Sequence, residues 1–293
     1  MQRHQSPRRD VKPSPSTPPQ GDPEPPVVHA AQRWWGLYDA PLASTRLWSV
    51  GPLRCAIERQ AQELRIYSRD QIGADEDRVA VSPLGTLAQR LPDAEEFALV
   101  RHILGPAESP LEIRPALADR AVVSKPLHRF MLHPRQRVTV YVSSPLWLQA
   151  RQAGSETLLA DLPLIRPSDT WFGSSTRHGE LCYASRTNAR LNLNEIPVSP
   201  IRAITPVALQ NNTNQPLSID KICLPVSYLS LFSHDDGRLW TEPVTIACEQ
   251  QNEPSALTIQ RDAPGTTRNA PAIAAPRLHA RSGLVHSLNV LFG

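Results

Sequence analysis

Proline spacing is the strongest constraint on what this chain can fold into. Thirty of its 293 residues are proline; eight lie in the first 30 positions and the other 22 recur at short intervals to the C-terminal region. Proline removes a backbone donor and clashes with the preceding helical turn, so few windows remain for a helix of several turns. Short strands joined by proline-marked loops fit such spacing. The stretch from Pro200 to Pro225 shows the pattern most clearly. An apolar run with partial alternation (Ile201, Ala203, Val207, Leu209) enters the polar block Asn211–Pro216, and a second run leaves it (Leu217, Ile219, Ile222, Leu224). Alternation implies one buried face, and Asn tolerates turn dihedrals, so this stretch reads as a β-hairpin.

The remaining strand signals follow the same logic. Arg46–Tyr67 offers two arms, Leu47–Glu58 and Glu63–Tyr67, around Arg59-Gln60. Leu111–Ala116, Ala121–Ser124, His128–Leu132 and Arg137–Ser143 form a strand series, and Val138–Val142 is the most strand-like five residues of the chain. Glu156–Pro163, Leu257–Gln260 and Leu284–Phe292 read as further strands, and 264–276 as a loop. Tyr228–Ser233 and Arg238–Cys248 flank Asp235-Asp236-Gly237, a hairpin turn in which glycine accepts positive φ. One helix is expected, over Pro92–Leu104, with Asp93 as cap and Phe97, Val100, Ile103 and Leu104 as its stripe. The expected fold is mainly β: an antiparallel β-sandwich, as one unit or two packed subdomains, with one short helix. Residues 1–30 are rich in Pro, Ser and Gln, with no apolar residue between Val11 and Val27, and are expected to form a disordered tail. The rest divides into halves at 31–160 and 161–293, each with enough strands for a small sandwich, packed through a shared core.

Composition narrows the function classes. A net charge of +3, from 31 basic and 28 acidic residues, gives no field strong enough to imply nucleic acid or an anionic membrane. Arginine almost replaces lysine, which occurs only at positions 12, 125 and 221. Arg can clamp phosphate or carboxylate with two hydrogen bonds, although coding bias is the commoner source of such skew. The four cysteines (55, 182, 223, 248) form no C-x-x-C pair, and three sit in apolar strand-like runs. No secretory core follows Met1, and no apolar run approaches the roughly 20 residues that span a bilayer. A cytoplasmic protein with reduced thiols and no membrane insertion is the expectation.

Motifs for common enzymes are missing from the sequence: there is no G-x-S-x-G, P-loop, Rossmann glycine triplet, H-E-x-x-H or EF-hand loop. The densest chemistry lies in Ser168–Tyr183, which carries Asp169, Trp171, Arg177, His178 and Glu180. Aromatics beside polar groups suit sugars, bases or a peptide partner. The competing reading is a structural corner: Trp171-Phe172 plug the sandwich, Gly173 turns the chain, Asp169 bonds local amides, and Arg177 and His178 form a functional rim. His178 and Glu180, two apart on a strand, could supply two metal ligands if a third came from elsewhere; no metal and no cofactor are expected.

The segments D-T-W-F-G (169–173), G-E-L-C-Y (179–183), A-I-T-P (203–206), L-W-T (239–241), P-A-L-A-D-R-A-V-V (115–123) and S-S-P-L-W-L (143–148) resemble an uncharacterised prokaryotic family known only as a domain of unknown function. The resemblance covers roughly residues 46–293. It implies a soluble, mostly β protein, often encoded near small mechanosensitive channels, and it assigns no catalytic residues. The leading expectation is a non-catalytic binding or accessory protein with a protein partner, in its sharpest form a regulator of a small mechanosensitive channel. The rival is an enzyme or lectin-like module for a sugar-like or phosphorylated metabolite, with Trp171, Arg177, His178 and Glu180 converging. Because the first 30 residues lack the apolar content to pack, deleting them is expected to leave the melting temperature within about two degrees by calorimetry; a larger drop would show that the segment is docked.

Overall fold

The computed structural model describes residues 33–105, 109–173, 177, 179–249, 256–261, 270–279 and 284–285. The 1–30 segment lies outside them, as do 264–269 of the expected loop and the strand expected beyond 285; the rest of that loop holds a short strand, Ala272–Ala274, paired antiparallel with Leu231–Ser233. The fold is mainly β, several sheets packed against one another as in a β-sandwich. Among the described residues no helix is long and apolar enough to cross a membrane.

The organising strand is Arg202–Asn211. On one edge it runs antiparallel to Arg137–Pro145, in register from Arg137 opposite Gln210 to Pro145 opposite Arg202. On its other edge it runs parallel to two strands in succession, Leu239–Thr241 beside Ala203 and Ile204, then Val244–Cys248 beside Val207–Asn211. Pro206, which has no N–H to donate, falls between the two parallel neighbours. A buried hydrogen bond from Thr241 Oγ1 to Thr205 Oγ1 (2.9 Å) closes that junction.

This arrangement corrects the hairpin expected over Pro200–Pro225. Leu217–Ile219 pairs with Phe130–Leu132, and Ile222–Leu224 with Val122–Ser124, so neither returns to the 202–211 strand. Both edges of that strand are already taken, by Arg137–Pro145 on one side and by Leu239–Thr241 and Val244–Cys248 on the other, and nearly all its side chains are buried. Asn211 supplies the redirecting contacts. Its amide donates to the carbonyls of Leu132 and Gln215 (both 2.8 Å), and its Oδ1 accepts from Thr213 N (2.9 Å) and Thr213 Oγ1 (2.8 Å). The polar block is therefore a closed loop tied to the 130–132 strand.

The helix expected over 92–104 is also corrected. Ala94–Glu96 makes a single 3₁₀ turn, and Ala98–Ile103 is a strand antiparallel to Glu63–Asp70. Phe97 is buried, but Val100 and Ile103 of the supposed stripe are 53 % and 78 % exposed. Six residue pairs with the 63–70 strand satisfy the backbone there, and β-branched Val100 and Ile103 suit a strand. Among the described residues the one α-helix is short, Leu87–Arg90, where Thr86 and Gln89 form a capping box. The arm expected over Leu47–Glu58 is two strands, Ser44–Val50 and Leu53–Arg59, because Gly51 takes φ +54° and Pro52 follows it. The Asp-Gly hairpin forms with shorter arms than expected: Leu231–Ser233 pairs antiparallel with Leu239–Thr241 and Gly237 has φ +79°, while Val226–Tyr228 is a 3₁₀ turn and Val244–Cys248 pairs with the central strand.

The main core runs from Trp34 to Ile259 and draws side chains from both the 31–160 and 161–293 stretches. Trp34 is fully buried and donates its indole N–H to Pro200 O at 2.9 Å, tying the first described residues to the start of the central strand. Because Asn211 satisfies four buried backbone and hydroxyl groups at once, Asn211→Ala should cost about 2–3 kcal/mol, the scale of leaving such groups unpaired. Urea denaturation measures this; an unchanged midpoint would show that the loop is held by other contacts.

Candidate functional site

The segment singled out by sequence is a hairpin, Ser168–Gly173 paired antiparallel with Gly179–Ala184, from Ser168 opposite Ala184 to Gly173 opposite Gly179. Strand alternation sends its residues to two faces. Asp169 and Trp171, with their partners Tyr183 and Leu181, share one; Thr170 and Phe172, with Cys182 and Glu180, share the other. Phe172 is 2 % exposed, whereas Trp171 and Leu181 are 44 % and 47 % exposed. The plug reading therefore holds for Phe172 and fails for Trp171, since adjacent strand residues point to opposite faces and only the Phe172 face of this hairpin is covered. Trp171 packs over Gly179, where a Cβ would come within 2.6 Å of Phe172 O and 2.7 Å of the indole Nε1. Glycine is required at 179 for that close approach.

Among the described residues Asp169 bonds none of the local amides that a corner would require. It pairs with Arg120 (3.3 Å), whose guanidinium lies over the Tyr183 ring at 5.2 Å, while Tyr183 donates its hydroxyl proton to Asp119 at 3.1 Å. Arg177 is exposed in the connection between the strands, and His178 lies outside the described residues. Trp171 and Glu180 are on opposite faces of the hairpin, so the convergence required by the enzyme reading does not form between them.

On the inner face, Glu180 meets two cysteines. Cys182 Sγ lies 3.9 Å from Cys223 Sγ, and Cys223 Sγ lies 3.8 Å from Glu180 Oε1. Cys223 comes from the 222–224 strand of the same four-stranded sheet, separated from the 179–184 strand by Val122–Ser124. Both thiols are buried, with Ala121, Val123 and Phe172 around them. Burial pushes the Glu180 carboxyl above the ordinary range, and the hydrogen bond to Cys182, together with burial, pushes the Cys223 thiol up. These three residues could hold a metal ion.

A second constellation escaped the sequence reading. A cavity of about 510 Å3 is lined by Glu76 and Asp77, Ser143, Arg186, Arg190, Glu195 and Arg202, among others. Its wall is the 185–190 stretch, fixed by Ser185 and Thr187 hydroxyls donating to Ser143 O (3.3 and 3.0 Å) and by reciprocal backbone bonds between Tyr141 and Arg190. Arg202, at the head of the central strand, is 7 % exposed. Its Nη2 donates to Glu76 Oε2 at 3.1 Å, and its buried Nη1 has no partner among the described residues. Arg190 stands 3.9 Å from Glu195, and Arg186, at the rim, has no ion-pair or hydrogen-bond partner among the described residues. A larger cavity, about 740 Å3, is lined by Arg33 and Arg114, but Arg114 pairs with Glu112 at 2.7 Å and Arg33 lies over Trp35. The only sequence signal for the smaller cavity was the preference for arginine; no motif joins residue 76 to residues 186–202.

The model of the family described as "Protein of unknown function (DUF432)" matches residues 34–292. The chain belongs to that family. The match begins at Trp34, the first core residue, twelve positions before the start of the sequence resemblance. Searches of curated proteins and of solved structures each found no match. Membership in DUF432 thus comes with a mostly β fold and no assigned chemistry, and the site argument for this member rests on its own side chains.

The two aromatics of the hairpin should part company in a denaturation experiment. Phe172→Ala removes a buried ring and is expected to cost about 3–5 kcal/mol. Trp171→Ala on the exposed face should cost less than about 1 kcal/mol, the usual range for surface positions. Equal losses would show that Trp171 is packed as tightly as its neighbour.

Proposed function

We propose that this DUF432 member is a non-catalytic binding protein whose cavity at Arg202 takes a small ligand bearing a phosphate or carboxylate group. The observation that carries this reading is that three arginines, Arg186, Arg190 and Arg202, line one cavity, Arg186 with no ion-pair or hydrogen-bond partner among the described residues. An anionic oxygen is the strongest complement of a guanidinium N–H. Glu76 holds one side of the Arg202 guanidinium, which fixes the planar fork that recognises phosphate and carboxylate. Arg186 supplies a second cationic donor at the rim. Glu76, Asp77 and Glu195 balance the three arginines of the lining, so placed donors rather than a strong field select the ligand. That balance favours a single anionic group over a polyanion such as nucleic acid.

A protein partner is the second reading, and the exposed Trp171–Leu181 pair favours it as the docking face. The small mechanosensitive channel implied by the family resemblance would be a partner of this kind. The four cysteines are all buried, where Cys acts as a small apolar side chain, and this fits reduced thiols in the cytoplasm.

Thermal shift against inorganic phosphate and a panel of phosphorylated and carboxylated metabolites tests the cavity. At a hundredfold excess over Kd a ligand adds about 2.7 kcal/mol, which is several degrees in Tm. The wild type should show this with at least one such ligand, and Arg186→Ala should weaken it without lowering the ligand-free Tm. Arg202→Gln should abolish it. No shift across the panel, or an undiminished shift in both variants, would overturn the reading.

A further inference from the structure

We propose that Glu180, Cys182 and Cys223 form a binding site for a thiophilic divalent cation of the zinc class, with three protein ligands and a fourth position open. The first argument is geometric. A tetrahedral ion with Zn–S of about 2.3 Å and Zn–O of about 2.0–2.2 Å places its sulfurs about 3.8 Å apart and each sulfur about 3.5 Å from the oxygen. The two sulfurs are 3.9 Å apart, and Cys223 Sγ is 3.8 Å from the Glu180 carboxylate. All three donor atoms lie within 4.8 Å of one another, so an ion between them needs only small rotations of side chains already in place.

The second argument is electrostatic. Glu180 is partly desolvated, yet no Arg, Lys or His pairs with it among the described residues; only two weak thiol groups face it. Most other carboxylates near buried parts of this chain have a guanidinium partner, as Glu58 and Glu63 have Arg65, and Glu242 has Arg261. At Glu180 the countercharge is missing, and a dication supplies it. Binding releases the two thiol protons to solvent, leaving two thiolates and a carboxylate around a 2+ ion, with one net negative charge at the solvent edge.

The third argument concerns which ion. Two of the three donors are sulfur, which excludes the oxygen-seeking Ca2+ and Mg2+ and selects a softer ion. Ala121, Val123 and Phe172 form an apolar shell behind the thiols, lowering the dielectric where the metal–thiolate bonds would form, while Glu180 marks the open side. The sheet makes the site possible. Parallel pairing of the 179–184 strand with 122–124, and antiparallel pairing of 222–224 on its far edge, bring together cysteines 41 residues apart.

Titration of the reduced, metal-free full chain with Zn2+ and with Co2+ tests this site independently of the Arg202 cavity, whose readout is anion-dependent. The expected result is one ion per chain by elemental analysis, with Co2+ giving the sulfur-to-cobalt charge-transfer band and the intense visible bands of a tetrahedral thiolate complex. Cys182→Ser and Cys223→Ser should each weaken Zn2+ binding by more than about 100-fold, beyond the 10- to 100-fold typical of losing an outer-shell group. Glu180→Gln, at the solvent edge and nearly isosteric, should keep the fold and weaken binding at least tenfold. If the serine variants do not fold, the Co2+ spectrum of the wild type and the Glu180→Gln affinity decide. A reduced wild type that takes up no ion, a cobalt complex without the charge-transfer band, or Zn2+ affinity unchanged in Glu180→Gln would overturn the proposal. So would a Cys182–Cys223 disulfide whose reduction restores no metal uptake.

Discussion

Backbone hydrogen bonding along the 202–211 strand is the constraint on which the rest depends. Ten residues, nearly all buried, must satisfy their N–H and C=O groups on both edges. The Arg137–Pro145 strand satisfies one edge, and two shorter strands share the other. Pro206 permits that sharing, because a residue without a donor is tolerated where one neighbour ends and the next begins. The ends of the strand then set the molecule's chemistry. Arg202 is carried into a cavity wall at one end, and Asn211 ties the following loop to Leu132 at the other.

The period of two in a strand explains how the conspicuous segment was partitioned. Trp171 and Phe172 are adjacent, so pairing with 179–184 sends one to solvent and the other to the core. The same rule separates Asp169 from Glu180. The outer face becomes an ion-paired aromatic surface built on Arg120 and Tyr183, and the inner face becomes an apolar pocket closed by two thiols. A single functional cluster over 169–183 is thereby excluded for Trp171 and Glu180.

Both proposed sites share one physical signature, a charged group at the edge of the packed interior whose partner is incomplete. At Arg202 a donor lacks an acceptor; at Glu180 an anion lacks a cation. What sets these two groups apart is their setting, Arg202 in the wall of a cavity shared with Arg186 and Arg190, and Glu180 beside two thiols. An anion and a thiophilic cation are their respective complements, and neither depends on the other.

The sequence alone determined the fold class, since closely spaced prolines forbid long helices and alternating apolar runs demand half-buried strands. It also determined individual turns: Asp236-Gly237 bends the chain because glycine relieves the steric cost of positive φ, and this is local physics. It placed most strands of the 111–163 region within a few residues. What it could not determine was which strand pairs with which. A polar block between two apolar runs has the same local signature whether its arms meet or diverge, so the 200–225 hairpin was misread. The stripe at 97–104 fitted helix and strand periods alike until the free edge of Glu63–Asp70 claimed it. Only tertiary structure brought Glu76 to Arg202 and Cys182 to Cys223, because these contacts join residues 126 and 41 positions apart, and no local pattern encodes such a contact.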